Sequence, residues 1–166
     1  LMNRTYTREW YIKKVNRIRE MLPGCGLSTD IITGFCTETE EDHQQTISMM
    51  NYCEYDLAYM FIYSERPGTL AARRYQDDVP VEIKKRRLTE IVETHRRQAL
   101  ENMKKEIGKT CIVLAEGKSK RSAEDFCGRN DQNKMVVFPK GNHQKGDYVQ
   151  VKITDCTAAT LIGKEV

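Results

Sequence analysis

Apolar residues recur at helical spacing over residues 7–22, with Tyr11, Val15, Ile18 and Leu22 on one stripe, and the pattern predicts an amphipathic helix. Thr7 supplies its cap and Pro23-Gly24 its stop. The period then changes. Leu27 to Phe35 is an apolar-rich run that reads as a strand ending at Gly34. Thr37-Glu38-Thr39-Glu40 fits a capping box for a second helix over about 39–52. Residues 56–63 are almost continuously apolar, the pattern of a strand covered on both faces in a parallel α/β sheet. The order α-β-α-β is followed by the loop Ser64-Glu65-Arg66-Pro67-Gly68-Thr69. Two parallel strands are too few for a stable sheet. Residues 1–79 are therefore expected to be the C-terminal part of a larger α/β barrel whose earlier units lie on a missing N-terminal part or on another chain.

Asp78 can cap a third helix and Pro80 suits its first turn. This long helix is expected to run over 80–108, with Leu88, Ile91, Val92, His95, Ala99 and Met103 on one side and Gly108 at its end. Its other side carries Lys84, Lys85, Arg86, Arg87, Arg96 and Arg97, which reads either as a solvated face or as a contact for RNA phosphate. From Lys109 the pattern shortens to strands at 109–116, 125–130, 134–138, 147–155 and 158–162, separated by turn residues. Five short strands in residues 109–166 predict a small closed barrel of OB-like type. The fold class is α/β followed by all-β.

Charge sharpens this division. Residues 1–79 carry net −3, whereas residues 80–108 and 109–166 each carry net +3, which points the C-terminal half toward a polyanion. No apolar run is long enough to cross a bilayer, and a cytoplasmic location is expected. The six cysteines show neither C-x-x-C nor C-x-x-x-C-x-x-C spacing, so no zinc or iron–sulfur loop is read here and no metal ligand is assigned. His43, His95 and His143 form no triad, and no catalytic residue is assigned.

Several motifs occur in a fixed order. Met2-Asn3-Arg4 and Tyr6-Thr7 come first, then Ser28-Thr29-Asp30-Ile31-Ile32-Thr33-Gly34-Phe35 with Glu38-Thr39-Glu40-Glu41-Asp42, then Tyr63-Ser64-Glu65-Arg66-Pro67-Gly68-Thr69 and Ala71. Glu116-Gly117-Lys118-Ser119-Lys120-Arg121-Ser122, Gly128-Arg129 and Asn133-Lys134-Met135-Val136-Val137-Phe138 follow. Together they resemble the methylthiotransferase branch of the radical-SAM enzymes, with a TRAM domain at the C-terminal end. The family has Pro-Gly after the Phe, where this chain has Cys36-Thr37, a change that alters loop stiffness.

The resemblance implies a TIM-like radical-SAM barrel, a linker helix and an RNA-binding TRAM barrel. It implies S-adenosylmethionine (SAM) and two 4Fe–4S clusters. One cluster would cleave SAM to a 5′-deoxyadenosyl radical that takes hydrogen from adenine C2, and the other would supply sulfur. The cluster cysteines are absent from this chain, which alone is expected to be inactive. The loop at residues 64–69 leans toward members acting on N6-(dimethylallyl)adenosine in a tRNA anticodon stem-loop. Siblings acting on threonylcarbamoyladenosine tRNA or a ribosomal protein, and a non-catalytic RNA-binding module, are the alternatives. The complete protein is expected to be monomeric.

In parallel α/β folds, ligands gather at strand C-terminal ends. By the resemblance, Arg4, Ser28, Thr29, Asp30, Gly34, Phe35, Glu38, Tyr63, Ser64 and Arg66 would form the SAM wall. Gly34 permits close backbone approach, Asp30 can accept from a ribose hydroxyl or amino group, and Arg66 can pair with a carboxylate. For Glu38, a capping role explains the acid equally well. Lys118, Lys120, Arg121, Arg129, Lys134 and Lys140 would neutralise RNA phosphates, and Phe138 would stack on a base, although it equally suits the core.

Overall fold

The structure is a computed structural model and describes residues 1–166. It divides into two compact units: Leu1–Pro23 with Leu27–His95, and Gly24–Gly26 with Arg96–Val166.

In the first unit, α1 (Arg8–Met21) begins where Thr7 Oγ1 accepts from the Trp10 amide. It leads to β1 (Ser28–Thr33), α2 (Glu40–Cys53), β2 (Leu57–Ile62), α3 (Leu70–Arg74) and α4 (Val81–Lys104). The cap of α2 lies two residues later than the sequence pattern suggests. Thr39, not Thr37, is the N-cap, and it exchanges bonds with Asp42 in both directions. Thr37 instead adopts a positive φ of 65° in the preceding turn. The short helix α3 falls in a segment that gave no helical reading. Thr69 caps it by accepting from the Ala72 amide.

β1 and β2 pair in parallel, with Ser28 opposite Leu57, Asp30 opposite Tyr59 and Ile32 opposite Phe61. The helices cover one face of this pair, where Val15, Met50, Cys53 and Ile91 are buried and Ile31 and Met60 pack against them. The expectation of cover on both faces is not met within this chain. Ile32, Leu57, Tyr59 and Phe61 are all exposed on the other face, Tyr59 by 55%.

Helix α4 also departs from its expected faces. Lys84 and Arg87, expected on the cationic outer side as solvated charges or RNA contacts, are both buried. They sit at i, i+3 and i+7 spacing with Ile91, so they belong to the helix's inner stripe. Asp78 does not cap this helix; its carboxylate accepts from the Thr37 amide at 2.7 Å.

In the second unit, α4 ends in a turn, with Glu106 N donating to Met103 O and Gly108 at φ 88°. Five strands follow: β3 (Thr110–Lys118), β4 (Asp125–Asn130), β5 (Met135–Pro139), β6 (Tyr148–Cys156) and β7 (Leu161–Glu165). They close a barrel in the order β3-β4-β5-β7-β6. Alternate residues point inward, and Val113, Phe126, Val136, Phe138, Val151, Ile153 and Leu161 fill the core. A Cβ on Gly163 would come within 2.6 Å of Lys152 O, so the β6–β7 pairing requires glycine there.

The last strand lies later than expected at 158–162. Thr157-Ala158-Ala159-Thr160 forms the turn, with Thr157 Oγ1 accepting from the Ala159 and Thr160 amides. The hydroxyl turn overrides the strand preference of the flanking threonines.

Candidate functional site

The C-terminal end of β1 leads into a tight loop, and α4 holds that loop in place. Gly34 turns the chain at φ 76°. A Cβ there would come within 2.9 Å of Lys84 Cδ and closer still to Cγ, so a bare backbone is needed for α4 to approach. Glu38 closes the loop from the other side. Its carboxylate accepts from the Gly34 amide at 2.9 Å and from Thr33 Oγ1 at 3.2 Å. Arg87 then donates to Glu38 Oε1 at 2.9 Å and to Glu38 O at 3.0 Å.

Lys84 Nζ donates to Asp77 Oδ1 and to Tyr63 O, and lies 5.3 Å from the centre of the Tyr63 ring. Phe35 packs edge-on against Tyr63 at 4.9 Å and Tyr75 at 6.2 Å. Two buried cations thus fix the ends of both strands. Sequence reading passed over Asp77 and Tyr75 and gave Lys84, Arg87 and Asp78 other roles. The helical spacing of the two cations relative to Ile91 was the available signal.

The residues of the expected cofactor wall are not all in one place. Arg4, Tyr6, Phe35, Thr37 and Glu38 border a cleft of about 410 Å³. Tyr63 lies beside Phe35, and its hydroxyl is buried without a hydrogen-bond partner. Ser28 and Asp30 lie on the open face of the strand pair, while Thr29 lies on the other face. Asp30 and Thr29 also border a second cleft of about 380 Å³ with Tyr11 and Met50. Ser64 and Arg66 are exposed in the loop after β2, where Arg66 O accepts from Thr69 N and Thr69 Oγ1. Glu38 has its carboxylate engaged by three donors, so its part in this site is to hold the loop.

The donor chemistry can be tested against the two groups that the resemblance implies. The cleft's exposed Arg4 and the aromatic rings of Tyr6 and Phe35 fit the carboxylate and base of a zwitterionic nucleoside such as SAM. Iron–sulfur clusters do not fit. All six cysteines are free and none gathers with two others. Glu40, His43 and Glu90 do come together, but Arg86 and Arg87 already take up these carboxylates. The Arg86 guanidinium holds the Glu40 carboxyl down to about 2.

In the barrel, Lys118 ends β3 and Lys120 and Arg121 follow on the loop that leaves it, all three exposed. Ser119 and Ser122 shape that loop by accepting from the Arg121 and Glu124 amides. Arg129 is also exposed; it donates to Asn133 O at 3.0 Å and lies 3.5 Å from Glu116. Lys140 Nζ sits 5.8 Å over the Phe126 ring.

Two expected RNA contacts are corrected. Phe138 is 1% exposed inside the barrel and offers no ring face to a base. Lys134 is buried and pairs with Glu106 at 3.4 Å, so its charge is spent within the fold. The aromatic that does stand free is Tyr148, which sequence reading passed over because it opens a strand after a glycine turn.

No helix is long and apolar enough to cross a membrane. Residues 104–166 match the TRAM domain family. The chain is 56% identical over 166 residues to a protein of Phocaeicola vulgatus named tRNA-2-methylthio-N(6)-dimethylallyladenosine synthase. A protein of the same name from Amoebophilus asiaticus is 56% identical over 165 residues, and one from Christiangramia forsetii is 54% identical over 165. These alignments cover 99–100% of this chain, which spans only 34–36% of the relatives' own length. The chain is thus similar from end to end to about a third of the length of each of these synthases, and it carries a TRAM domain at residues 104–166.

Proposed function

We propose that this chain is the cofactor-wall and RNA-holding part of a cytoplasmic tRNA methylthiotransferase. The whole protein converts N6-(dimethylallyl)adenosine beside the anticodon to its 2-methylthio derivative. The observation that carries this reading is the end-to-end alignment at 54–56% identity with synthases named for that product.

Under this reading, residues 1–79 complete a radical-SAM barrel, residues 80–108 connect, and residues 109–166 grip the RNA. SAM supplies the hydrogen-abstracting radical and the methyl group when it is bound beside a 4Fe–4S cluster. Arg4 and Arg66 present guanidinium groups to its carboxylate. Asp30 accepts from a ribose hydroxyl or the amino group. Ser28, Thr29, Gly34, Phe35, Tyr63 and Ser64 shape the wall, and Glu38 keeps the loop in register through Arg87. The ligands of both clusters belong to the rest of the protein. Lys118, Lys120, Arg121, Arg129 and Lys140 neutralise phosphates of the anticodon stem-loop.

The test uses the complete protein with its clusters rebuilt. Incubation with SAM and tRNA carrying N6-(dimethylallyl)adenosine should yield the methylthiolated nucleoside on digestion. If the complete protein binds that tRNA tightly and leaves it unmodified, the chain is a binding module. Methylthiolation of a ribosomal protein, or of threonylcarbamoyladenosine, in place of this nucleoside would assign it to a sibling activity.

A further inference from the structure

We infer that Tyr148 is a stacking platform for one unpaired nucleobase, set in a concavity on the outer wall of the barrel with Arg129 as its cationic neighbour. The inference rests on the reading of the barrel as an RNA-holding module and names the place where a base is seated.

Registration of the strands puts the two residues in one row. Tyr148 pairs with Leu114, and Leu114 pairs with Arg129. Directly paired residues share a face of the sheet. Their neighbours Val113 and Ala115 point into the core, so this row points outward. Ile112 follows two residues along β3 on the same outward face. Tyr148 is 75% exposed and Ile112 57%. A concavity of about 800 Å³ opens here, walled in part by Ile112, Leu114, Arg129, Asn130, Gln132 and Tyr148.

The chemistry of that concavity matches a base and its phosphate. The tyrosine and the aliphatic floor offer a π-face and apolar contact, which every base can use. Arg129 lies two strands from the tyrosine, across Leu114, and its side chain is 43% exposed while 3.5 Å from Glu116. Gln132 contributes a side-chain oxygen that is buried without a hydrogen-bond partner, an acceptor for an amino group on a base edge. A single exposed tyrosine is unremarkable on its own. Here it is combined with a concave site, an adjacent cation and an unsatisfied acceptor.

The experiment measures binding of the complete protein to an RNA hairpin carrying 2-aminopurine in its loop, with a fully paired duplex as the comparison. Tyr148→Ala should weaken hairpin binding by roughly 5- to 100-fold and abolish the quenching of 2-aminopurine. Tyr148→Phe should bind as the parent does, because the ring is kept. The slope of log affinity against log salt should stay unchanged in both, whereas Arg129→Gln should lower it by about one unit. The thermal midpoint of Tyr148→Ala should match the parent, since the side chain is mostly exposed. Hairpin binding by Tyr148→Ala equal to the parent's, with quenching intact, overturns the platform while leaving the RNA reading in place. A complete parent protein that binds neither RNA overturns both.

Discussion

Arg87 Nη1 lies 2.9 Å from Glu38 Oε1, and the two side chains are only 5% and 13% exposed. This pair ties the middle of a helix to the loop that ends β1. Both groups have lost most of their water, so each depends on the other for charge compensation. Arg87→Ala should therefore destabilise the first unit by about 3–5 kcal/mol. Arg87→Lys should cost less, because it keeps the charge and loses the forked geometry. Urea denaturation followed by circular dichroism measures both; a midpoint for Arg87→Ala equal to the parent's would mean that the pair contributes nothing net.

Gly34 and Lys84 meet at the same loop. Gly34→Ala puts a methyl group into the Lys84 stem and forces an L side chain to φ 76°. The backbone penalty alone is about 1–2 kcal/mol, and the overlap adds to it. In a Lys84→Ala background the contacts with Cγ and Cδ are removed, only the 3.2 Å approach to Cβ remains, and the backbone penalty stays. The cost of Gly34→Ala should thus be smaller in that background, and the four thermal midpoints of the cycle read the coupling directly.

His95 gives the first unit a dependence on pH. Burial pushes its pKa below the ordinary value of 6.5, partly opposed by Asp56 and a hydrogen bond to the Tyr55 backbone. The folded state thus prefers the neutral ring. Its contribution to stability is fully present above about pH 6.5 and is lost as pH falls below that value toward the folded pKa. Unfolding free energies between pH 7.5 and 5 should decline in the parent and decline less in His95→Gln. The carboxylates Glu40 and Glu90, lowered by Arg86 and His43 respectively, act in a lower window, below 4.5.

The repeating patterns were legible in the sequence because they are local. Thr7 as a cap, Gly34 as a strand end and the inward alternation of Val149, Val151 and Ile153 all depend on near neighbours and all appear in the structure. The barrel was legible for the same reason. What escaped was decided across distance. Lys84 and Arg87 look like surface cations until Asp77 and Glu38 are placed against them. Phe138 and Tyr148 differ only in which side of the wall they face. One residue of strand register decides that, and the composition of the strand does not.

That difference between facing in and facing out sets up the last prediction. Lys120 and Arg121 are exposed on the loop after β3. Each phosphate they neutralise releases counterions, so Lys120→Ala with Arg121→Ala should weaken tRNA binding and flatten its salt dependence by about one unit per lost contact. Lys134 carries the same charge but is buried against Glu106. Lys134→Ala should lower the barrel's thermal midpoint and leave the salt slope where it was, because its charge compensates Glu106 and not a phosphate. Titrations of the two variants between 50 and 200 mM salt, beside their melting curves, separate the roles. Should the double variant keep the parent's slope at every salt concentration, the loop lies off the RNA path, and the cations that remain on the barrel wall would have to account for any affinity.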